Sequence, residues 1–303
     1  MRVTKSNFYS IAGILLEIEV DERYLQKELS DFVFTFDQST GEAIPDVTIS
    51  VSTEEYGGNL QGKVILKGSL LTITEGEDSF FVTYNMPTCV SGYELSKSAK
   101  RAVIYLTKEA INHGTHQNMD ELEELEELKY AIRDAFFYYL QQYDRIVVHS
   151  ASFVYHDVVW LFSAPSGTGK STHVELWKKN GYTIQDFNGD LAVCYMDENG
   201  NAVAAGIPWC GTSGIYVNRT APLGGILFLQ RSCTDLAVPL SELQGTLHLL
   251  ARCVTPSWTK KQADLNATIA EKIASKAHLA ILYCTKKDSA AKVSKEYIDK
   301  VSH

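Results

Sequence analysis

The stretch that most constrains this chain is Val-Val-Trp-Leu-Phe-Ser-Ala-Pro-Ser-Gly-Thr-Gly-Lys-Ser-Thr-His, residues 158–173. An apolar run leads into an octet, 164–171, that fits the Walker A pattern with Ala at its first position. The spacing has a physical reason. Gly167 and Gly169 permit positive φ and bring backbone N–H groups close to an anion. Lys170 can set a charge against the β and γ phosphates, and the Ser171 hydroxyl can enter a Mg²⁺ shell. A helix starting near Gly169 turns its positive end toward the phosphates. The pattern predicts a strand over 158–162 and a helix over 172–179. Between them lies a nucleotide-binding loop of Ser166, Gly167, Thr168, Gly169, Lys170, Ser171 and Thr172.

Composition narrows the class. The 303 residues suffice for one large domain or two small ones, and 45% hydrophobic with 21% charged residues is ordinary for a globular protein. The net charge of −9 argues against nucleic acid as the partner, so local donors must hold an anionic nucleotide. Six cysteines without paired spacing read as reduced thiols. No basic-then-apolar leader opens the sequence and no apolar run approaches a bilayer's thickness, so no membrane partner and a cytoplasmic location are the expectation.

Two regions are expected, a β-rich part ending in an amphipathic helix (1–143) and a nucleotide-binding part (144–303). Alternating or β-rich runs at 16–20, 32–36, 47–51, 64–66, 80–84 and 102–106 predict an antiparallel sheet. His113 and His116, three apart in a polar stretch, read as an exposed loop and not as a metal site. Leu122, Leu125, Leu128, Ile132, Phe136 and Leu140 recur at helical spacing and predict a helix over 119–143. Residues 145–155 read as a strand carrying His149, which a hairpin could bring toward the phosphate end. Beyond the loop helix, Asn188-Gly189 reads as a tight turn with Asp190 at its mouth, and Asn199-Gly200 as a second hairpin. Residues 206–219, rich in Gly and small hydroxyls, form a candidate lid or substrate loop. A buried strand at 223–229, helices at 240–253 and 262–276, a strand at 278–284 and a helix at 288–301 complete the chain.

A conventional P-loop NTPase adds an apolar strand ending in Asp. The runs 225–230 and 279–284 do not end so, and Asp190 is the well-placed carboxylate. Parallel strand–helix alternation is also missing. The expected class is therefore α+β, with mixed, mostly antiparallel sheets and the loop between strand and helix.

His149, the octet 164–171, Asn188-Gly189-Asp190, Gly206-Ile-Pro-Trp209 and Asn218-Arg-Thr-Ala-Pro-Leu223 together resemble the HPr serine kinase/phosphorylase family. That family belongs with the ATP-type phosphoenolpyruvate carboxykinases. The resemblance covers 146–230 and implies the fold of the HPr kinase C-terminal domain. It implies ATP and Mg²⁺ as cofactors, with Ser171 and Asp190 at the metal. Asp190, His149 and Lys170 would be catalytic, and Trp209, Gly211, Ser213, Asn218 and Arg219 would belong to the acceptor loop. Where the family carries two adjacent carboxylates, this chain has Gly189 before Asp190, with Asp186 the alternative second acid. The family's Arg-Gly-Leu-Gly-type signature is absent, and Arg219 is the candidate for its charge.

The expectation is a kinase that moves the γ-phosphoryl of ATP to a hydroxyl, Ser foremost, of a protein or peptide. An ATP-binding regulatory protein without transfer chemistry, a small-molecule kinase and a plain ATPase stay open, as does assembly into a homo-oligomer.

Overall fold

A computed structural model describes residues 5–20, 27–35, 43–54, 62–86, 88–107 and 121–302. The chain divides into two compact units, residues 1–140 and 141–303. It is a mixed α+β protein with two mostly antiparallel sheets.

The first unit holds β1 (Lys5–Ile11), β2 (Ile14–Val20), β3 (Val47–Ser52), β4 (Lys63–Lys67), β5 (Leu71–Glu75), β6 (Ser79–Tyr84), β7 (Val90–Ser96) and β8 (Arg101–Leu106). Their order is β1-β2-β3-β8-β7-β6-β5-β4. Two pairings, β2–β3 and β3–β8, are parallel, where the sequence suggested an antiparallel sheet throughout. Ile14, Leu16, Ile18 and Val20 alternate into the core along β2, as a half-buried strand requires. The run 32–36 corrects differently. Phe32 ends a 3-10 turn (Lys27–Phe32) and Val33 makes only a single bridge to Tyr9, while residue 36 lies outside the described residues. Helix α1 (Glu121–Gln142) packs on this sheet through Tyr138, edge-on to Phe80 at 5.8 Å, and through Tyr139, whose hydroxyl donates to the Ser96 and Arg101 carbonyls. His113 and His116 lie outside the described residues.

The second unit runs β9 (Arg145–Tyr155), β10 (Val158–Ser163), α2 (Lys170–Lys179), β11 (Gln185–Asn188), β12 (Leu191–Met196), β13 (Ala202–Ala205), β14 (Thr220–Arg231), β15 (Leu236–Pro239), α3 (Glu242–Leu250), α4 (Lys260–Ala274), β16 (His278–Cys284) and α5 (Asp288–Val301). Pairings β9–β10, β10–β14, β14–β13, β13–β12 and β12–β9 close on themselves into a small barrel. β14 then extends the sheet through β16 to β15. Strands β10, β14 and β16 are parallel neighbours, so a short parallel core exists where the sequence showed no strand–helix alternation.

Both faces of β10 are covered, which is why it reads as an unbroken apolar run. Val159 and Leu161 pack with Leu249 of α3 and with Ile269 and Ile273 of α4. Trp160 and Phe162 pack on the other face with Trp177 of α2 and Ile298 of α5. Trp177 is fully buried, and its indole N–H donates to Ser294 Oγ at 2.8 Å. Ser241 and Thr259 start α3 and α4 with reciprocal capping boxes. No disulfide joins the cysteines, and no helix among the described residues is long and apolar enough to cross a membrane.

Candidate active site

The loop between β10 and α2 takes the conformation its glycines allow. Gly167 has φ 73° and Gly169, the residue capping α2, has φ 122°. Two side chains hold its carbonyl oxygens. Arg231, at the end of β14, donates to the Gly167 and Thr168 carbonyls, and His173 Nδ1 donates to the Gly169 carbonyl at 3.0 Å. Burial pushes the His173 pKa down against the opposing pull of that bond and of Asp235, so the ring is neutral. With the carbonyls turned aside, the N–H groups of Gly167, Gly169 and Ser171 have no protein acceptor among the described residues. Ser166, Gly167, Ser171 and Thr172 are exposed. The loop is therefore an open cradle of donors at a helix N-terminus.

Beside it three side chains converge. Lys170, only 8% exposed, places Nζ 2.8 Å from His149 Nε2 and donates to the Ala164 carbonyl at 3.4 Å. His149 Nε2 is in turn 3.1 Å from Asp190 Oδ1. Burial depresses the Lys170 pKa, the Asp190 carboxylate opposes this, and the charge of Arg252 adds to the depression. Nε2 holds at most one proton, so it cannot at once donate to Asp190 and accept from Lys170. Nε2 is thus within hydrogen-bond reach of both an ammonium and a carboxylate.

Strand register creates this convergence. Leu191 pairs with His149, and Ser150 N–H donates to the Asp190 carbonyl at 2.8 Å. Asn188-Gly189 is not the hairpin turn that its composition suggested. β11 and β12 both lie antiparallel along β9, Asn188 opposite Ser152 and Leu191 opposite His149, so the chain runs straight through. The Asn188 side chain, fully buried, explains this. Its Oδ1 accepts from the N–H groups of Asp190 (3.0 Å) and Leu191 (2.9 Å), and its Nδ2 donates to the Ile207 carbonyl at 2.8 Å.

The 206–219 segment closes over this point in part. A Cβ on Gly211 would lie 3.1 Å from the Asp190 carboxyl carbon, and one on Gly189 would lie 2.0 Å from Ser213 Oγ. The Ser213 turn leaves no room for a side chain at Gly189, so no second carboxylate stands there beside Asp190. Trp209 is buried, 2% exposed, and its carbonyl accepts from Asn188. Asn218 is exposed. Arg219 turns away. It bonds Gln185 Oε1 at 3.3 Å and faces Asp157 at 4.0 Å, at the start of β10, whereas the loop leaves the end of that six-residue strand about 17 Å away. Asp186 is held by Lys178 at 2.9 Å, so it supplies no second acid.

Sequence reading missed Arg231, His173 and Arg252. Arg231 had one signal, a cation ending the apolar run of β14; the others had none. Among the described residues no group of three or more His, Cys, Asp or Glu could hold a metal alone. A hydroxyl and one carboxylate nevertheless suit Mg²⁺, which takes most of its oxygens from phosphates and water.

No protein-family model matches the chain, and no curated protein does. Among solved structures, the Hpr(Ser) kinase/phosphatase from Coxiella burnetii aligns over 52% of this chain and 99% of its own, at 10% identity and a TM-score of 0.31. A likeness at that level carries no argument about activity.

Proposed function

We propose that this chain transfers the γ-phosphoryl group of ATP to a hydroxyl, Ser foremost, of a protein or peptide. One observation carries the reading: the Lys170–His149–Asp190 cluster stands beside a helix-terminal cradle of free N–H groups. The cradle binds the phosphates, and Lys170 neutralises charge as it moves to the bridging oxygen. The acceptor oxygen forms a bond to phosphorus while the bond to the β-phosphate oxygen breaks and its electron pair leaves on ADP. The acceptor's proton passes to the Asp190–His149 pair. Ser171 and Asp190 would hold Mg²⁺, which supplies charge neutralisation across the β and γ phosphates.

Acceptor profiling with γ-labelled ATP tests this. Label on serine of a polypeptide supports it. Label on small hydroxyl compounds alone, or steady hydrolysis with no acceptor, replaces it with one of the other chemistries. A regulatory ATP-binding role is the second reading, favoured by Gly189, whose tight contact with Ser213 leaves Asp190 without a neighbouring acid. It predicts binding with no product.

A further inference from the structure

Asp190 has a serine of its own chain close by. The segment after β13 folds into a tight turn at Cys210–Ser213, closed by the Ser213 N–H on the Cys210 carbonyl at 3.3 Å. The Gly189 N–H donates to the Ile215 carbonyl at 3.0 Å, which lays this turn along the approach to Asp190. The packing is close: a Cβ on Gly211 would lie 3.1 Å from Asp190 Oδ2, and Ser213 Oγ fills the space beside Gly189. Ser213 is nonetheless exposed, and its hydroxyl bonds only locally in the turn. It donates to the Cys210 carbonyl at 2.6 Å and accepts from the Ile215 N–H at 3.2 Å. Left-handed glycines bound the tip, Gly211 at φ 59° and Gly214 at φ 65°. A Cβ on Gly214 would meet nothing within 4 Å, so the tip has room to pivot there. The serines of the neighbouring strands offer no such hydroxyl. Ser150, Ser152 and Ser163 are buried and donate to the Val148, Asn188 and His149 carbonyls.

We propose that Ser213 is an internal phosphate acceptor, so that the chain phosphorylates itself there in cis. The inference rests on the ATP-dependent transfer reading. Ser213 Oγ forms a bond to the γ-phosphorus while the bond to the β–γ bridging oxygen breaks and its electron pair leaves on ADP. The hydroxyl proton passes to the Asp190 carboxylate. A serine tethered beside that carboxylate needs no encounter with a second molecule, which favours the internal reaction whenever no other acceptor is bound. The product adds about two negative charges beside Asp190. These repel a further phosphoryl donor, and self-transfer stops at one group per chain.

The test incubates the purified full chain with γ-labelled ATP and Mg²⁺ over a range of protein concentrations, then maps the labelled residue by mass spectrometry of its peptides. A parallel reaction adds serine-containing polypeptides. Label on Ser213 of wild type, formed at a rate constant independent of protein concentration and lost in Lys170→Ala, is the expected result. Ser213→Ala should lose the label and Ser213→Thr should carry it on the new hydroxyl, with thermal unfolding as the check that each variant folds. Label on another residue of the chain, or a rate constant that rises with protein concentration, overturns the assignment. So does an unlabelled chain that labels the added polypeptides, which leaves the transfer reading intact. ATP bound with no label on the chain or on any polypeptide overturns both.

Discussion

Lys170 Nζ lies 2.8 Å from His149 Nε2, across the gap between the first turn of the loop helix and the middle of a strand 21 residues earlier. The buried ammonium thus has an acceptor besides the Ala164 carbonyl, and that acceptor also touches Asp190. Removing it should separate stability from chemistry. His149→Ala strips a largely buried charge of a partner and should cost about 1–3 kcal/mol in urea unfolding. His149→Gln can still accept from Lys170 and should unfold near wild type. It cannot take up a proton, so single-turnover transfer should fall about a hundredfold at unchanged ATP affinity.

The lysine's depressed pKa gives a proton-linkage signature. Burial is the largest cause, Asp190 opposes it and Arg252 reinforces it. Between the depressed value and the ordinary lysine range the unfolded chain binds the proton more tightly than the folded one. The group's contribution to stability therefore rises with pH across that window. Phosphate oxygens arriving at Nζ favour the charged form, so ATP binding at alkaline pH should take up a proton. Calorimetry in buffers of different ionisation enthalpy measures this uptake, and Lys170→Met should abolish it.

Gly189 offers a steric test. Gly189→Ala places a Cβ 2.0 Å from Ser213 Oγ and 2.4 Å from Ser213 Cβ, and should destabilise the fold by about 2–4 kcal/mol. Ser213→Gly removes both clashing atoms, so the double variant should recover much of the loss. Gly189→Asp alone should not raise activity, because the Ser213 turn must open before a second acid can stand beside Asp190.

Asp235 lies outside the Lys170–His149–Asp190 cluster and carries a proton-linked contribution to stability. Burial tends to raise its pKa, but hydrogen bonds from the Ser289 hydroxyl and from the Thr285 N–H and hydroxyl outweigh it and hold the carboxyl below its usual range. That stability is present above the unfolded-state pKa and disappears as pH falls through the folded value. Asp235→Asn should lower the thermal midpoint at neutral pH, and the gap to wild type should close in acid.

The parts of the fold legible in the sequence are those set by short-range forces. The loop, its flanking strand and helix, and the Asn199-Gly200 hairpin are written in local patterns, and β12 and β13 do pair antiparallel across Gly200. Asn188-Gly189 carried the same local signal and misled, because a buried Asn side chain can bond the backbone ahead of it in an extended strand as well as in a turn. β15 was missed for want of an apolar alternation, since it is mostly exposed. Arg252 was not legible because its placement is topological: the β9 edge left open by β10 draws its segment in from 103 residues beyond His149.

Transfer of the γ-phosphoryl group by the Lys170–His149–Asp190 cluster is tested most directly by following γ-labelled phosphate from ATP onto polypeptide acceptors. The comparison, with Mg²⁺ present, is between wild type, Lys170→Ala and Asp190→Asn. Label on serine with wild type that vanishes in both variants, while Asp190→Asn still binds ATP, is the predicted result. Transfer that survives Lys170→Ala, or ATP binding by wild type with no labelled product on any acceptor, contradicts it.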